Sequence, residues 1–446
     1  MGGDATMSGD VGDIKANEIR YISGFGNEHA SEALPGALPI GQNSPQRVPY
    51  GLYAEQITGT AFTVPRAENQ RTWLYRIRPT VKHKTFQKID RGLWRTAPLR
   101  EFELTPNRMR WEPIELSVEA VDFVQGMRTV VANGDPEQRV GAAIHIYTAT
   151  KSMENRAFAN HEGEFVIVPY SGSMRIVTEL GILDIGVGEI ALIPRAVKFR
   201  VELPDGPSQG FVCENYGQPM HLPELGPLGG SGMTNPRDFL APVARYENRD
   251  EPSEVVVKFG GNLWSCEIGH SPFDVVAWHG TQVPYKYNLL HFNVVNSVSF
   301  DHTDPSIFTI LTSASGLPGT ANVEFVAFPP RWIVGEHTFR PPWFHRNVMS
   351  EFVGMIQGTS ESRAHAFPPG AHTLHNSMAA HGPDPMVFEK ATAAELKPER
   401  LEGILALFES RFPFRVAKSA VESKGLLSGY DGNWDGLKKH FSPHQS

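Results

Sequence analysis

A chain of 446 residues is longer than one hydrophobic core usually fills, so we expect two domains. Its 40% hydrophobic and 20% charged residues are typical of a soluble globular protein. The net charge of -8 argues against a nucleic-acid surface or a basic membrane-docking face, and two cysteines are too few for a disulfide framework.

The first segment, residues 1–18, is small, polar and acidic, and we expect it to form a loose arm. It lacks the basic end and apolar stretch of a secretory signal. No apolar run approaches the roughly 20 residues that a membrane-spanning helix needs. We therefore expect a cytoplasmic protein with no membrane partner and no nucleic-acid partner.

The 42 glycines and 35 prolines, with short β-branched runs between them, predict a mainly β chain with many turns. Residues 164–181 predict two strands around a Ser-Gly turn, and 183–195 and 198–201 predict further strands. In the second half, 324–332 has the same character. Short strands at this spacing are typical of antiparallel sandwiches and jelly rolls.

Two other segments carry predictions. The Gly/Pro-rich stretch 222–242 is the best candidate for a loop or linker. A helix for packing or subunit contact is predicted from Pro398, which suits a first helical turn, up to Pro413. Its apolar residues follow at helical spacing, namely Leu401, Ile404, Leu405, Phe408 and Phe412.

Histidines are concentrated in one window, since ten of the 17 lie between residues 270 and 381. A strand would hold His345 and Glu351 about 20 Å apart, and a helix would place them on different faces. A tight bend at Arg346-Asn347 would bring them together, with His381 as a third ligand. Two imidazoles and a carboxylate suit non-haem Fe(II), which needs open positions. Zinc enzymes use the same donors, and histidines in β turns are often only structural.

A further histidine, His302, is the candidate proton acceptor, because imidazole takes up protons near neutral pH. It lies between Asp301 and Asp304, just before a predicted strand at 307–311, where a surface hydrogen-bonding role is the alternative. The motif His161-Glu162-Gly163-Glu164 resembles a second metal cluster. It has no convincing partner histidine in the first half before His221, so we interpret it as structural.

With these residues placed, the chain resembles the homogentisate 1,2-dioxygenase family over residues 20–440. The similarity is carried by many separate segments rather than by one motif. They are residues 21–29 (YISGFGNEH), 49–56 (PYGLYAEQ), 69–76 (NQRTWLYR), 284–289 (PYKYNL), 328–332 (FPPRW) and 339–342 (FRPP).

The resemblance implies a ring-cleaving enzyme of tyrosine and phenylalanine breakdown that converts homogentisate and O2 to maleylacetoacetate. It implies Fe(II) bound by His345, Glu351 and His381, with His302 as proton acceptor. It also implies two β-sandwich or jelly-roll (cupin-like) domains with a few peripheral helices, and a homohexamer made of two trimers. We place the domains at residues 19–280 and 281–446, the second holding the iron.

The chain departs from the family pattern between Glu351 and His381. The family normally has a substrate-contacting tyrosine where this chain has Ser360, and a lysine where it has Arg363. A substrate contact is expected from His381. Whether Ser360 and His375 also contact the substrate stays open. The substrate carboxylate needs a cationic or hydrogen-bonding partner, for which the candidates are Arg331, Arg340, Arg346 and Arg363.

Three alternatives stay open from the sequence. The departures at Ser360 and Arg363 leave room for a related dioxygenase that acts on another dihydroxyphenyl substrate. The ligand set also fits a cupin-type isomerase or hydrolase that uses zinc or manganese. A storage or scaffold protein without catalytic activity is the third.

Overall fold

The computed structural model describes residues 19–226, 233–358 and 367–443. In these ranges the chain is mainly β, as predicted, with two short α-helices, α1 (Pro385–Ala393) and α2 (Lys418–Val421). The predicted arm at 1–18 and part of the predicted linker at 222–242 lie outside the described residues. No helix of the described chain is long and apolar enough to cross a membrane.

Short strands follow one another along the whole described chain. Those of the first part are β1 (Tyr21–Ser23), β2 (His29–Glu32), β3 (Tyr53–Thr58), β4 (Arg71–Arg76), β5 (Gln87–Ile89), β6 (Met109–Trp111), β7 (Met127–Ala132), β8 (Ala142–Ala149), β9 (Arg156–Asn160), β10 (Glu164–Ser171), β11 (Met174–Thr178), β12 (Gly181–Ile185), β13 (Glu189–Ile193), β14 (Phe199–Glu202) and β15 (Ser208–Asn215). Those of the second part are β16 (Met220–His221), β17 (Leu240–Pro242), β18 (Ser253–Phe259), β19 (Asn262–Ile268), β20 (Val275–Gly280), β21 (Tyr285–Asn288), β22 (Thr309–Ala314), β23 (Ala321–Phe328), β24 (Arg331–Ile333), β25 (Ser350–Gln357), β26 (His372–His375), β27 (Glu399–Leu401), β28 (Ile404–Ser410) and β29 (Arg415–Val416).

Three large sheets contain most of these strands. As far as the chain is described, their orders are β1-β17-β21-β13-β10-β15-β8-β7-β29, β12-β11-β14-β9-β18-β19-β5 and β16-β22-β23-β28-β25-β26-β6. The halves exchange edge strands, since β6 and β16 join the third sheet and β29 joins the first. Strand β21 pairs with β13 in the first sheet, close to the predicted boundary at 280/281, which remains a prediction.

The predicted turn between two strands at 164–181 carries the chain from one sheet to another. Strand β10 pairs with β13 and β15, whereas β11 pairs with β12 and β14. Gly172 has φ +71°, and a Cβ there would lie 2.2 Å from the carbonyl oxygen of Pro207. The turn therefore needs glycine, both for its left-handed backbone and for the close approach.

The two halves share one hydrophobic core. The ring of Phe211 in β15 lies 6.0 Å from the ring of Phe352 in β25. A Cβ at Gly354 would lie 2.5 Å from the Phe211 ring, so glycine allows this contact. The sheet that contains β25 thus packs closely against the first-half sheet that contains β15.

The predicted helix at 398–412 is wrong. The segment forms β27 and β28, and β28 lies between β23 and β25 in the middle of the third sheet. Ile404, Ala406 and Phe408 are all buried there. A short apolar run in a central strand fits helical spacing by chance, and its backbone bonds come from remote strands. The helix of this region is α1, where Pro385 is in the first turn and the Asp384 carboxylate accepts from Val387 N–H.

The strand predicted at 307–311 is shifted. Residues Pro305–Phe308 form a 3-10 turn in which the Asp304 side chain accepts from the Ser306 N–H, and β22 begins at Thr309. The turn is favoured by the Asp-Pro pair, whose carboxylate and fixed φ suit the start of a helical turn.

Candidate metal centre

A bend before β25 brings His345 and Glu351 together. Asn347 Oδ1 accepts a hydrogen bond from the Met349 N–H at 2.9 Å, which turns the chain just before the strand begins at Ser350. This Asx turn lies at the place where the sequence predicted a bend. Glu351 is therefore the second residue of a strand, and His345 lies in the loop ahead of it.

His381 reaches the same place through the backbone. The His345 N–H donates to the His381 carbonyl at 2.9 Å, and the His381 N–H donates to the His345 carbonyl at 3.1 Å. Their rings lie 4.1 Å apart. His381 Nε2 is 3.0 Å from Glu351 Oε2, and His345 Nε2 is 3.8 Å from Glu351 Oε1. The structure thus brings all three predicted ligands together.

The two rings are oriented by main-chain carbonyls. His345 Nδ1 lies 2.7 Å from the carbonyl of Trp343, and His381 Nδ1 lies 2.9 Å from that of Ala379. Because a carbonyl oxygen only accepts, each Nδ1 carries a proton, and Nε2 is the ring nitrogen that can bind a metal once it carries none. Fixing the ligand tautomer through the other ring nitrogen is how proteins prepare histidine for a metal.

The Glu351 carboxylate is almost fully buried, at 5% exposure. Burial by itself raises its pKa, but the contacts with His345 and His381 outweigh it and hold the pKa well below its usual range. Contact with Glu351 raises the pKa of His345 in turn. Donor atoms from the three residues all lie within 4.8 Å of one another, as ligands of one ion must. The donor set fits a divalent metal with open positions.

His375 stands beside the three residues. It lies opposite Glu351 on the neighbouring strand, and its ring stacks on His381 at 4.0 Å. On its other side is Tyr430, at 6.5 Å between ring centroids. The position suits a residue that supports the His381 ring, and a direct substrate contact from His375 remains a prediction.

A row of polar side chains continues from Glu351 across the sheet. Glu351 lies opposite Glu409, which lies opposite Glu324. Burial, with the charges of Glu351 and Glu324, raises the pKa of Glu409 to about 8. No local sequence pattern predicts this row, because the register between β23, β28 and β25 joins residues that are far apart in the chain.

His302 lies at the edge of this site. Its ring meets Trp343 edge-on at 5.0 Å, and Trp343 lies 6.3 Å from His345. Its Nε2 is 3.1 Å from the Arg340 carbonyl and its Nδ1 is 3.2 Å from that of Thr303. His302 is therefore linked to His345 through Trp343, a residue that the sequence analysis did not single out.

The candidate arginines differ in what they contact. Arg340 donates to the carbonyls of Gly335 and Lys397, and the buried Arg331 donates to that of Pro329. Both therefore have contacts within the fold, whereas Arg346 is exposed beside His345. Ser360 and Arg363 lie outside the described residues.

The motif at 161–164 has the structural surroundings predicted for it. Glu162 pairs with the buried Lys258, and Glu164 accepts from Asn215 Nδ2 at 2.8 Å. Within the described ranges, the group at His345, Glu351 and His381 is the one cluster with metal-ligand geometry.

Comparison with known proteins covers nearly the whole chain. The family model described as homogentisate 1,2-dioxygenase N-terminal matches residues 20–289, and the one described as homogentisate 1,2-dioxygenase C-terminal matches residues 290–441. The homogentisate 1,2-dioxygenase of Nitrobacter hamburgensis is 54% identical over 425 residues, 95% of each chain. That of Pseudomonas fluorescens is 52% identical over 434 residues, 97% of this chain and 99% of the relative.

Matches among solved structures include protein Ylba from E. coli. It is 9% identical, covers 70% of this chain and 93% of its own, and has a TM-score of 0.32. A cupin 2 conserved barrel domain protein from Leptotrichia buccalis covers 69% of this chain and 97% of its own, with 10% identity and a TM-score of 0.30.

Proposed function

The chain belongs to the homogentisate 1,2-dioxygenase family, and we propose that it opens the ring of homogentisate with O2 to give maleylacetoacetate, in tyrosine and phenylalanine breakdown. The observation that carries this proposal is the convergence of two Nε2 atoms and a buried carboxylate at His345, His381 and Glu351. Family membership supports the enzyme class, and the site supplies the donors that such a reaction needs.

We propose Fe(II) as the metal held by His345, Glu351 and His381. Two imidazoles and one carboxylate leave half of an octahedron free, which suits an iron that must accept both a substrate oxygen and O2. When bound, Fe(II) would supply a Lewis acid that makes the substrate phenol more acidic and a redox centre for dioxygen.

In this proposal His302 takes the proton of the substrate hydroxyl. A neutral imidazole has one N–H, so only one of its two carbonyl contacts, to Thr303 or Arg340, is a hydrogen bond. The other nitrogen then faces a carbonyl oxygen with no proton between the two acceptors. A substrate hydroxyl could donate to this nitrogen and would be its better partner. Trp343 would set the ring's position by its edge-on contact.

The aromatic substrate would lie between His302 and the ligand pair, on the side where His345 is 29% exposed. His381 would contact it beside the metal, and Ser360 and His375 are its weaker candidate contacts. An arginine would pair with the carboxylate of the substrate. Among the candidate arginines that the structure describes, Arg346 is exposed and next to the site.

A second substrate is favoured by one specific observation, the serine at position 360 where the family normally has a tyrosine. A serine hydroxyl reaches several ångströms less far, so a different dihydroxyphenyl compound would fit the space. Comparing the turnover of homogentisate, gentisate and hydroquinone by one preparation would show whether homogentisate or another dihydroxyphenyl compound is the preferred substrate.

The decisive test is oxygen uptake by Fe(II)-reconstituted protein on addition of homogentisate, with the product identified. One O2 consumed per homogentisate, with maleylacetoacetate formed, is expected. Metal binding without uptake would reject homogentisate as the substrate. Oxygen-independent turnover would point to the isomerase or hydrolase alternative.

We also propose the assembly and organisation that the resemblance implies. The protein would be a cytoplasmic homohexamer made of two trimers, with domains at 19–280 and 281–446 after the arm at 1–18. Light scattering on the purified protein tests the hexamer, and limited proteolysis tests the boundary.

A further inference from the structure

Asn347 contacts the carboxylate of a proposed metal ligand directly. Its Nδ2 donates to Glu351 Oε1 at 2.8 Å, while the other oxygen, Oε2, lies 3.0 Å from His381 Nε2. The two oxygens of Glu351 therefore have different surroundings. Oε1 accepts from the amide and lies 3.8 Å from His345 Nε2, whereas Oε2 lies beside His381.

The amide itself is held firmly. Asn347 Oδ1 accepts from the Met349 N–H at 2.9 Å, and its main-chain carbonyl accepts from the Met378 N–H at 2.7 Å. The second of these bonds ties the bend before Glu351 to the turn before His381. Glu409, opposite Glu351 in the sheet, is a further acceptor for the same amide. An amide has two N–H donors, so it can serve both carboxyl groups while adding no charge.

We propose that Asn347 is a positioning residue that keeps Glu351 as a ligand through a single oxygen. A carboxylate with one oxygen in a 2.8 Å hydrogen bond resists the rotation that would present both oxygens to an ion. Single-oxygen ligation leaves one more coordination position free for substrate or O2. This role rests on the proposed metal function and adds a residue to it.

The test separates this role from the part that Asn347 plays in the turn. Asn347→Ser keeps a hydroxyl acceptor for the Met349 N–H and removes the amide donor without adding charge. Asn322→Ala is the control, because Asn322 is an amide at 2% exposure that bonds Gly141 and Asn215 and none of the three proposed ligands.

Chelator-treated proteins are titrated with Co(II) under argon, recording affinity by calorimetry and coordination by the visible spectrum. Asn347→Ser is expected to bind Co(II) about 10- to 100-fold more weakly, with a changed spectrum. Asn322→Ala is expected to melt at a lower temperature but to keep the wild-type affinity and spectrum. Wild-type affinity and spectrum in Asn347→Ser would overturn the proposal.

If Asn347→Ser does not fold, Asn347→Asp replaces it, since aspartate keeps the turn acceptor and lacks the donor. Its Co(II) spectrum is expected to differ from that of the wild type, and an identical spectrum would again overturn the role. A wild-type protein that binds no Co(II) would reject the metal site itself, which is a separate and recognisable failure.

Discussion

The main chains of His345 and His381 exchange two hydrogen bonds, and their side chains form two corners of one site. A hydrogen-bonded antiparallel pair fixes the distance between the two Cα atoms at about 5.5 Å. Each ring is then oriented by a carbonyl two residues earlier in the chain. The separation of His345 and His381, the two proposed histidine ligands, is thus set by main-chain hydrogen bonds.

Replacing one ligand is expected to abolish metal retention while leaving the fold intact. His345→Ala removes one of two imidazoles, and because His345 is partly exposed it leaves no large cavity. The measurement is metal content after dialysis, with the melting temperature of the apo protein as control. A variant that stays loaded and active would contradict the assignment of His345.

His302→Asn is expected to keep the metal and to lose most of its turnover, by about 10²- to 10⁴-fold, the usual contribution of general acid–base catalysis. The reason is that asparagine keeps polar contacts near the Arg340 carbonyl but cannot take up a proton. Steady-state oxygen uptake gives kcat, and metal analysis gives occupancy. An unchanged kcat at full occupancy would remove His302 from the mechanism.

Much of the fold was predictable because strands and turns have local signatures. The Ser-Gly turn after β10 is such a case, since Gly172 is required by its own backbone angle. The strand at 404–410 was not, because it is specified by pairing with β23 and β25, which lie far away in sequence. Five of its seven residues are buried, three of them in succession, so it lacks the alternation that marks a half-exposed strand.

The candidate site divides in the same way. Spacing and reach indicated the need for a bend at Arg346-Asn347, while the assignment of the three ligands depended on the family resemblance. The neighbours Glu409 and His375 do not, because only the register of β28, β25 and β26 places them beside Glu351. Trp343 is adjacent to the motif in the sequence, but its contact with His302 depends on how two separate loops pack.

A prediction follows from Ser360, which stands where the family normally has a tyrosine. Ser360→Tyr restores the residue that the family normally has there, so we expect KM for homogentisate to fall. A tenfold decrease corresponds to about 1.4 kcal/mol, within the range for a hydrogen bond to a charged or polar group. Ser360→Phe is the control, because it adds the ring without the hydroxyl. Equal KM values in all three proteins would show that this position does not contact the substrate.

A buried cluster in the first half gives a prediction for acid stability. Glu214 is fully buried, and although burial raises its pKa, Lys258 and His145 outweigh this and lower it to about 2. A depressed pKa stabilises the fold above the ordinary value of 4.5, and this contribution is lost as the pH falls through 2. Glu214→Gln should therefore flatten the decline of the melting temperature between pH 4.5 and 2. The substitution should also lower the melting temperature at pH 7, because Lys258 loses an ion-pair partner. If the melting temperature of Glu214→Gln followed that of the wild type at every pH, this prediction would be contradicted.

Glu164, in the neighbouring strand, should show the opposite dependence. Burial raises its pKa to about 7, although Asn215 Nδ2 and the Met220 N–H donate to its Oε1 at 2.8 and 2.5 Å. A raised pKa gives a contribution that is complete below pH 4.5 and is lost as the pH rises through 7. The shift corresponds to about 3 kcal/mol.

Glu164→Gln keeps both accepted hydrogen bonds and cannot ionise, so its melting temperature should fall less than that of the wild type between pH 4.5 and 7. Calorimetric melting of the two proteins across this range measures the difference. Identical slopes would mean that Glu164 ionises without cost, and that its carboxyl group is not shielded from water as the fold indicates.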